Sequence, residues 1–204
     1  MMLPQKAFAW VDLETTGSSK EHDLILEMAL VLTDATPKLN VLDERQWLVT
    51  PTREGWYESM SAFVTRMHSD NGLLADMKNA ETFPLPLIDS QLVYALQARG
   101  FKSKADVMLA GSGVSHFDRA FLRRDLPRFE AVLAYPNMDV GCIRRALSLM
   151  EHPALMQDAG ADQRNHRAMD DVMHHIEELR HYCAELKLYP SDTQKVLMEA
   201  ANSV

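Results

Sequence analysis

The sequence predicts an α/β domain in which a mixed sheet is flanked by helices, and three observations predict it. The first fifty residues hold three apolar or alternating segments bounded by turn residues, the mark of consecutive strands with short connections. Beyond residue 59 the apolar spacing becomes helical, interrupted by short apolar runs near 106–110 and 138–140. No repeat, low-complexity tract or Gly/Ser-rich linker divides the 204 residues, so residues 1–204 are expected to form a single domain.

The elements follow in order. Phe8-Ala-Trp10-Val11 leads into Asp12 as a buried strand. The apolar run Leu24–Thr33, set between Gly17-Ser-Ser and Asp34-Ala-Thr-Pro37, is the second strand, and Val41–Thr50 the third, ending at Pro51. Helical signals run from Ser59 to Lys78. Leu85, Ile88, Leu92, Val93 and Leu96 keep a helical spacing that ends at Gly100. Asp106–Ala110 is a short strand, and Phe117–Leu126 a helix stopped before Pro127. Met138–Val140 is a last strand before a helix through Met150, and residues 167–186 form the final long helix. Tyr189-Pro190-Ser191-Asp192 is a turn before a short peripheral helix in the tail, residues 187–204.

Composition narrows the function. With 47% apolar and 25% charged residues the chain is ordinary globular protein, which argues against disorder. A net charge of −8 argues against a binder of long duplex, which needs many phosphate contacts from Lys and Arg. It leaves short oligonucleotides open and suits a site that gathers carboxylates around cations. Cys142 and Cys183 lack a CxxC partner or a metal-ligand spacing. Met1-Met2-Leu3-Pro4-Gln5-Lys6 lacks a secretory apolar region, and no apolar run is long enough to span a bilayer. The expectation is a reduced, cytoplasmic protein with no membrane association.

Three places carry carboxylates in suggestive settings. Asp12 and Glu14, two apart, share one face of a strand end, where α/β proteins build sites. As like charges they repel unless a cation or a proton lies between them. Asp118 follows the glycine-containing turn Gly111-Ser-Gly-Val-Ser-His-Phe. His166 precedes Asp170 and Asp171 at the start of the last helix. Each place alone is matched by an ordinary acid at an exposed strand end, a helix cap or a first helical turn. Together they form the set that two-metal phosphodiester chemistry needs: several oxygen ligands from separated segments, and a group that takes a proton from water.

The pattern Trp10-Val-Asp12-Leu-Glu14-Thr-Thr-Gly17, then Phe117-Asp118, then His166-x-Ala168-x-x-Asp171 resembles the DEDDh 3′-to-5′ exonucleases, relatives of the proofreading exonucleases and RNase T. Within them it looks most like oligoribonuclease, through Asp23-Leu-Ile-Leu-Glu27-Met-Ala, Arg66-Met-His68-Ser-Asp-Asn-Gly72-Leu and Tyr135-x-Asn137-Met-Asp139-Val. The match runs from about Phe8 to Leu186 in the expected order.

The resemblance implies an RNase H-like, five-stranded mixed sheet whose first three strands are antiparallel. It implies two Mg2+ or Mn2+ ions per site. Asp12, Glu14 and Asp171 would hold the ion that activates water, and Asp12 and Asp118 the ion near the leaving oxygen. His166 would be the general base, and its near-neutral ordinary pKa suits that role. The product would be a nucleoside 5′-monophosphate cut from short single-stranded RNA, or from DNA. Leu13, Thr16, Gly17, Ser18, Phe63 and Tyr135 would contact substrate, with Tyr135 reaching into a partner's site in a homodimer. Helical spacing alone favours Asp170 as the fourth acid, on the same face as a helical His166. The family spacing favours Asp171.

Other residues are expected in lesser roles. Glu27 is read as structural, Asp139 as a helix cap and His116 as a loop residue. Arg119, Arg123, Arg124 and Arg128, with Arg144, Arg145, Arg164 and Arg167, form either solvated helix faces or a landing place for phosphates. The chain also departs from the family. Ser18 stands where dinucleotide-selective members carry a bulky apolar wedge, and Phe63 where they carry an aromatic, usually tryptophan. In Tyr135-Pro136-Asn137-Met138-Asp139-Val140-Gly141 the phosphate-capping arginine and serine are replaced by Pro136 and Gly141. Proline cannot replace a bidentate guanidinium, so weaker dinucleotide selectivity is expected.

Overall fold

The computed structural model describes residues 6–152 and 165–186. The expected tail helix and Arg164 lie outside the described residues.

Strands β1 (Ala7–Thr15), β2 (Ile25–Asp34) and β3 (Val41–Leu48) form the antiparallel half of the sheet. β4 (Val107–Gly111) and β5 (Asn137–Asp139) add in parallel on the other side of β1, giving the order β3-β2-β1-β4-β5. This is the expected five-stranded mixed sheet, with its first three strands antiparallel. Helices α1 (Ala62–Asp70), α2 (Leu73–Asn79) and α3 (Leu85–Ala98) lie between β3 and β4. α4 (Asp118–Asp125) and α5 (Pro127–Val132) connect β4 to β5, and α6 (Val140–Leu149) and α7 (Ala168–Glu185) follow.

Two differences from the sequence expectation have local causes. The helical stretch from Ser59 to Lys78 is two helices, because Gly72 adopts a left-handed φ of 82° and breaks the chain between α1 and α2. Pro127 ends α4 and also starts α5, since a first helical turn tolerates its missing N–H.

Strand alternation divides β1 between two cores. Ala7, Ala9, Val11 and Leu13 join Ile88, Leu92, Phe121 and Phe129 on the face covered by α3, α4 and α5. Phe8 and Trp10 face the other way, with Ala29, Val172, Ile176 and Tyr182 beneath α7. Asp12 and Glu14 continue this second series, so both carboxylates emerge on the α7 side. The ladder with β4 pairs β1 only from Ala7 to Trp10. Asp12–Thr15 therefore projects beyond β4 while still paired to β2.

Candidate active site

β1 supplies Asp12 and Glu14 from within the strand, not from the turn beyond it, because β1 runs on to Thr15. α7 supplies Asp171 from its first turn. Its buried stripe runs through Ala168, Asp171, Val172, His175, Ile176 and Leu179, the spacing of one helix face. Carboxylate oxygens of Asp12, Glu14 and Asp171 lie within 4.8 Å of one another. Asp118 is the first helical residue of α4, buried, with no side-chain capping bond from the residue before it.

The carboxyls register this crowding. Burial first, then the charges of Asp118, Glu14 and Asp171, hold Asp12 well above the usual carboxylate range. Burial and the nearby Asp171 and Glu27 push Glu14 up to about 8, against the pull of Arg167. Burial raises Asp118 to about 7, although backbone amides of Asp118 and Leu13 favour its charged form. Such a set is stable only when protons or cations offset the repulsion, and its oxygen-only donors fit hard divalent ions.

His166 precedes α7 with a left-handed φ of 46°, so it stands outside the helix. The i,i+4 argument for Asp170 then fails. Asp170 is exposed and accepts from Asn165 Nδ2 at 3.1 Å, while Asp171 turns into the acidic set.

A cavity of about 730 Å3 opens on these groups. Asp12, Glu14, Asp118, His166 and Asp171 line it, and so do Leu13, Thr16, Gly17, Ser18 and Phe63. Phe63 on α1 is 75% exposed, a free ring at the cavity wall. Tyr135 is 85% exposed and does not line the cavity of its own chain. His116 is exposed and also stays outside it.

Some residues gained meaning only from the fold. His68 on α1 is fully buried, its Nε2 2.9 Å from the Thr15 carbonyl and its Nδ1 3.9 Å from Glu14 Oε2. Burial lowers its pKa, so a neutral ring with Nε2–H donating to Thr15 O is the form that fits. His175, one turn along α7 from Asp171, is buried at the cavity wall. Sequence reading missed it, although the i,i+4 step from Asp171 is a signal that could have found it. Asp23 fixes the turn after β1, accepting from Thr16 Oγ1 and from Ser19 N–H, each at 2.8 Å.

Glu27 is fully buried and structural, as expected. It grips Arg167 through Nη2 at 2.7 Å and Nε at 3.1 Å, and accepts the Ala168 N–H at 3.0 Å. Asp139 caps α6 through Cys142 N–H at 3.2 Å. Most of the arginines are committed elsewhere than to a phosphate landing place. Arg119 is buried against Glu130 and the carbonyls of Ala134 and Tyr135. Arg124 binds Asp125 and the Asp23 carbonyl. Arg144 lies 3.4 Å from Glu178 and donates to Ser112 Oγ at 2.7 Å. The absent side chain of Gly141 makes that last contact possible, since a Cβ there would lie 2.6 Å from Ser112 Oγ.

A mixed sheet that presents a buried cluster of acids beside an open cavity is an arrangement suited to holding divalent cations. A family model described as exonuclease, of the RNase T type, matches residues 9–179, and the chain belongs to that family of 3′-to-5′ exonucleases. An oligoribonuclease of Cutibacterium acnes is 34% identical over 185 residues, 89% of this chain and 86% of that one. An oligoribonuclease of Streptomyces coelicolor is 34% identical over 174 residues, 85% and 83% of the two chains. Among solved structures, E. coli exonuclease I in a zinc-bound complex with single-stranded DNA superposes with a TM-score of 0.67 at 16% identity. That match covers 89% of this chain and 41% of the other, and it shows the fold alone. No helix among the described residues is long and apolar enough to cross a membrane.

Proposed function

We propose that residues 1–204 act as one catalytic domain that releases nucleoside 5′-monophosphates from the 3′ end of short single-stranded RNA. The observation that carries this is the convergence of Asp12, Glu14 and Asp171 within 4.8 Å at the mouth of an open cavity. The oligoribonuclease relatives supply the substrate class.

Asp12, Glu14 and Asp171 would hold one cation, and Asp12 with Asp118 a second, each Mg2+ or Mn2+. When bound, such ions supply a nucleophile at neutral pH and offset charge on the attacking and leaving oxygens. His166, exposed at the cavity edge, accepts the proton of the attacking water. Phe63 stacks on a base, while Leu13, Thr16, Gly17 and Ser18 border the sugar and phosphate. With Ser18 too small to wedge bases apart, and Pro136 and Gly141 in place of a guanidinium and a hydroxyl, two-mers lose their advantage over longer chains.

Tyr135, exposed and outside its own cavity, is free to enter a second copy's site, which supports a homodimer. A monomer by light scattering at working concentration would contradict that. The location is cytoplasmic, in keeping with two free cysteines. Single-stranded DNA is the second substrate reading, since the exonuclease I neighbour was solved with it.

The test is 5′-labelled RNA two-mers and seven-mers with Mg2+, Mn2+ or chelator. Stepwise 3′ loss that needs metal, at similar rates for both lengths, is expected. Strict two-mer preference would refute the altered selectivity. Cleavage of DNA or cyclic dinucleotides alone would move the substrate class, and no cleavage of any would leave a non-catalytic nucleic-acid-binding protein.

A further inference from the structure

The corner between α1 and α2 reaches the loop that carries His166. Asn71 caps α1, its backbone N–H donating to Met67 O at 3.1 Å. Its Oδ1 accepts the Leu73 N–H at 3.0 Å, which fixes the amide and leaves Nδ2 as the donor. That Nδ2 donates to the backbone carbonyl of His166. The φ of His166, 46°, lies in the left-handed region, which is uncommon for a residue with a side chain although histidine enters it more readily than most, and the Asn71 contact favours it there.

The next residue is clamped from the same corner. Arg167 Nη1 reaches the Asn71 carbonyl at 3.4 Å, and Nη2 reaches Asp76 on α2 at 2.9 Å. Glu27 holds the other edge of that guanidinium, as described above. The backbone of His166 is therefore fixed from α1 on one side and from β2, through Arg167, on the other. α1 also carries Phe63, so one helix presents the exposed ring and anchors the histidine loop.

We propose that Asn71 is a positioning residue for His166, holding its backbone in the left-handed conformation that aims the imidazole into the cavity. This rests on the reading of His166 as proton acceptor. Asn71 does not line the cavity. Its contribution passes through the orientation of the ring, so it belongs to kcat and not to KM.

The test is a double-mutant cycle on 5′-labelled RNA with Mn2+. The chains compared are wild type, Asn71→Ala, His166→Asn and the double variant. Asparagine is chosen at 166 because it tolerates the left-handed conformation. Asn71→Asp, which keeps the Oδ1 acceptor and loses the donor, serves as a second variant if alanine impairs folding. Loss of the donor is expected to lower kcat about tenfold, with KM changed by less than about twofold. In the His166→Asn background the same change is expected to cost less than about twofold. Mn2+ affinity by calorimetry is expected to stay unchanged.

Equal tenfold losses in both backgrounds would make Asn71 a general support and overturn the proposal. So would an unchanged kcat in Asn71→Asp, or a weakened Mn2+ affinity. Wild-type kcat in His166→Asn would instead show that the histidine is not the proton acceptor, and the proposal would fall with that reading.

Discussion

Glu14 and Glu27 stand directly opposite each other across the β1–β2 ladder, and their surroundings give them opposite fates. Glu14 faces Asp171, and its carboxyl is pushed up to about 8. Glu27 faces Arg167 and the first amide of α7, and is fully paired. Two like residues on one rung thus divide between a carboxyl crowded by a second acid and a carboxylate spent on holding the helix.

Replacing Glu27 tests the second role. Glu27→Ala leaves the buried Ala168 N–H without its acceptor and removes one of the two carboxylates on Arg167, Asp76 remaining 2.9 Å from Nη2. Leaving a buried charge wholly unpaired costs about 3–5 kcal/mol, and with Asp76 retained the expected loss is about 2–3 kcal/mol. Glu27→Gln keeps an acceptor and is expected to cost less. Urea unfolding of the metal-free proteins measures both, and a loss under about 1 kcal/mol for Glu27→Ala would contradict the assignment.

Metal-free stability is expected to fall as pH rises. The folded-state pKa of Glu14, about 8, lies above its ordinary 4.5, and that of Asp118, about 7, above 3.8. Between those limits the folded chain holds protons that the unfolded chain has lost, so their stabilisation is complete at low pH and gone above pH 8. A divalent cation bound there would replace those protons, and its stabilising effect is expected to grow over the same interval. Melting temperatures in chelator and in Mn2+, from pH 5 to 8.5, test this. A metal-free melting temperature that rises across that range would contradict it. Glu14→Gln is expected to flatten the chelator curve and raise the metal-free melting temperature at pH 8.

How far the sequence carried this result depends on the element. The strands were legible as apolar runs bounded by turn residues, because a sheet covered by helices on both faces buries both sides of a strand such as β2. The separated acids Asp12, Glu14, Asp118 and Asp171 were legible as a set through the family resemblance. The choice of Asp171 over Asp170 was not legible from periodicity. It depends on the left-handed backbone of His166, which keeps the histidine off the helix. The arginines stayed open between solvated faces and phosphate contacts for a related reason: charge runs in sequence do not show that Arg119 is buried against three carbonyl or carboxylate partners. His68 gave no periodic signal, since its role is a contact with β1, 53 residues away in sequence.

Phe63 is expected to govern binding more than chemistry. It lines the cavity but is 75% exposed, so its removal costs the fold little. Base stacking on an aromatic ring is worth about 1–3 kcal/mol. Phe63→Ala is therefore expected to raise KM about tenfold with kcat nearly unchanged, and Phe63→Trp to restore it. Steady-state kinetics on a single-stranded seven-mer measure this, and an unchanged KM would remove Phe63 from the substrate path.

Alternation in β1 and the entry to α7 bring Asp12, Glu14 and Asp171, and not Asp170, together, and we propose that these three hold a cation. The most direct measurement compares Asp171→Asn with Asp170→Asn in release of 3′ nucleotides from labelled RNA at saturating Mn2+. Asp171→Asn is expected to lose about a thousandfold in rate and to weaken Mn2+ binding, while Asp170→Asn stays within about twofold of wild type. Loss in Asp170→Asn with activity retained in Asp171→Asn would contradict the claim.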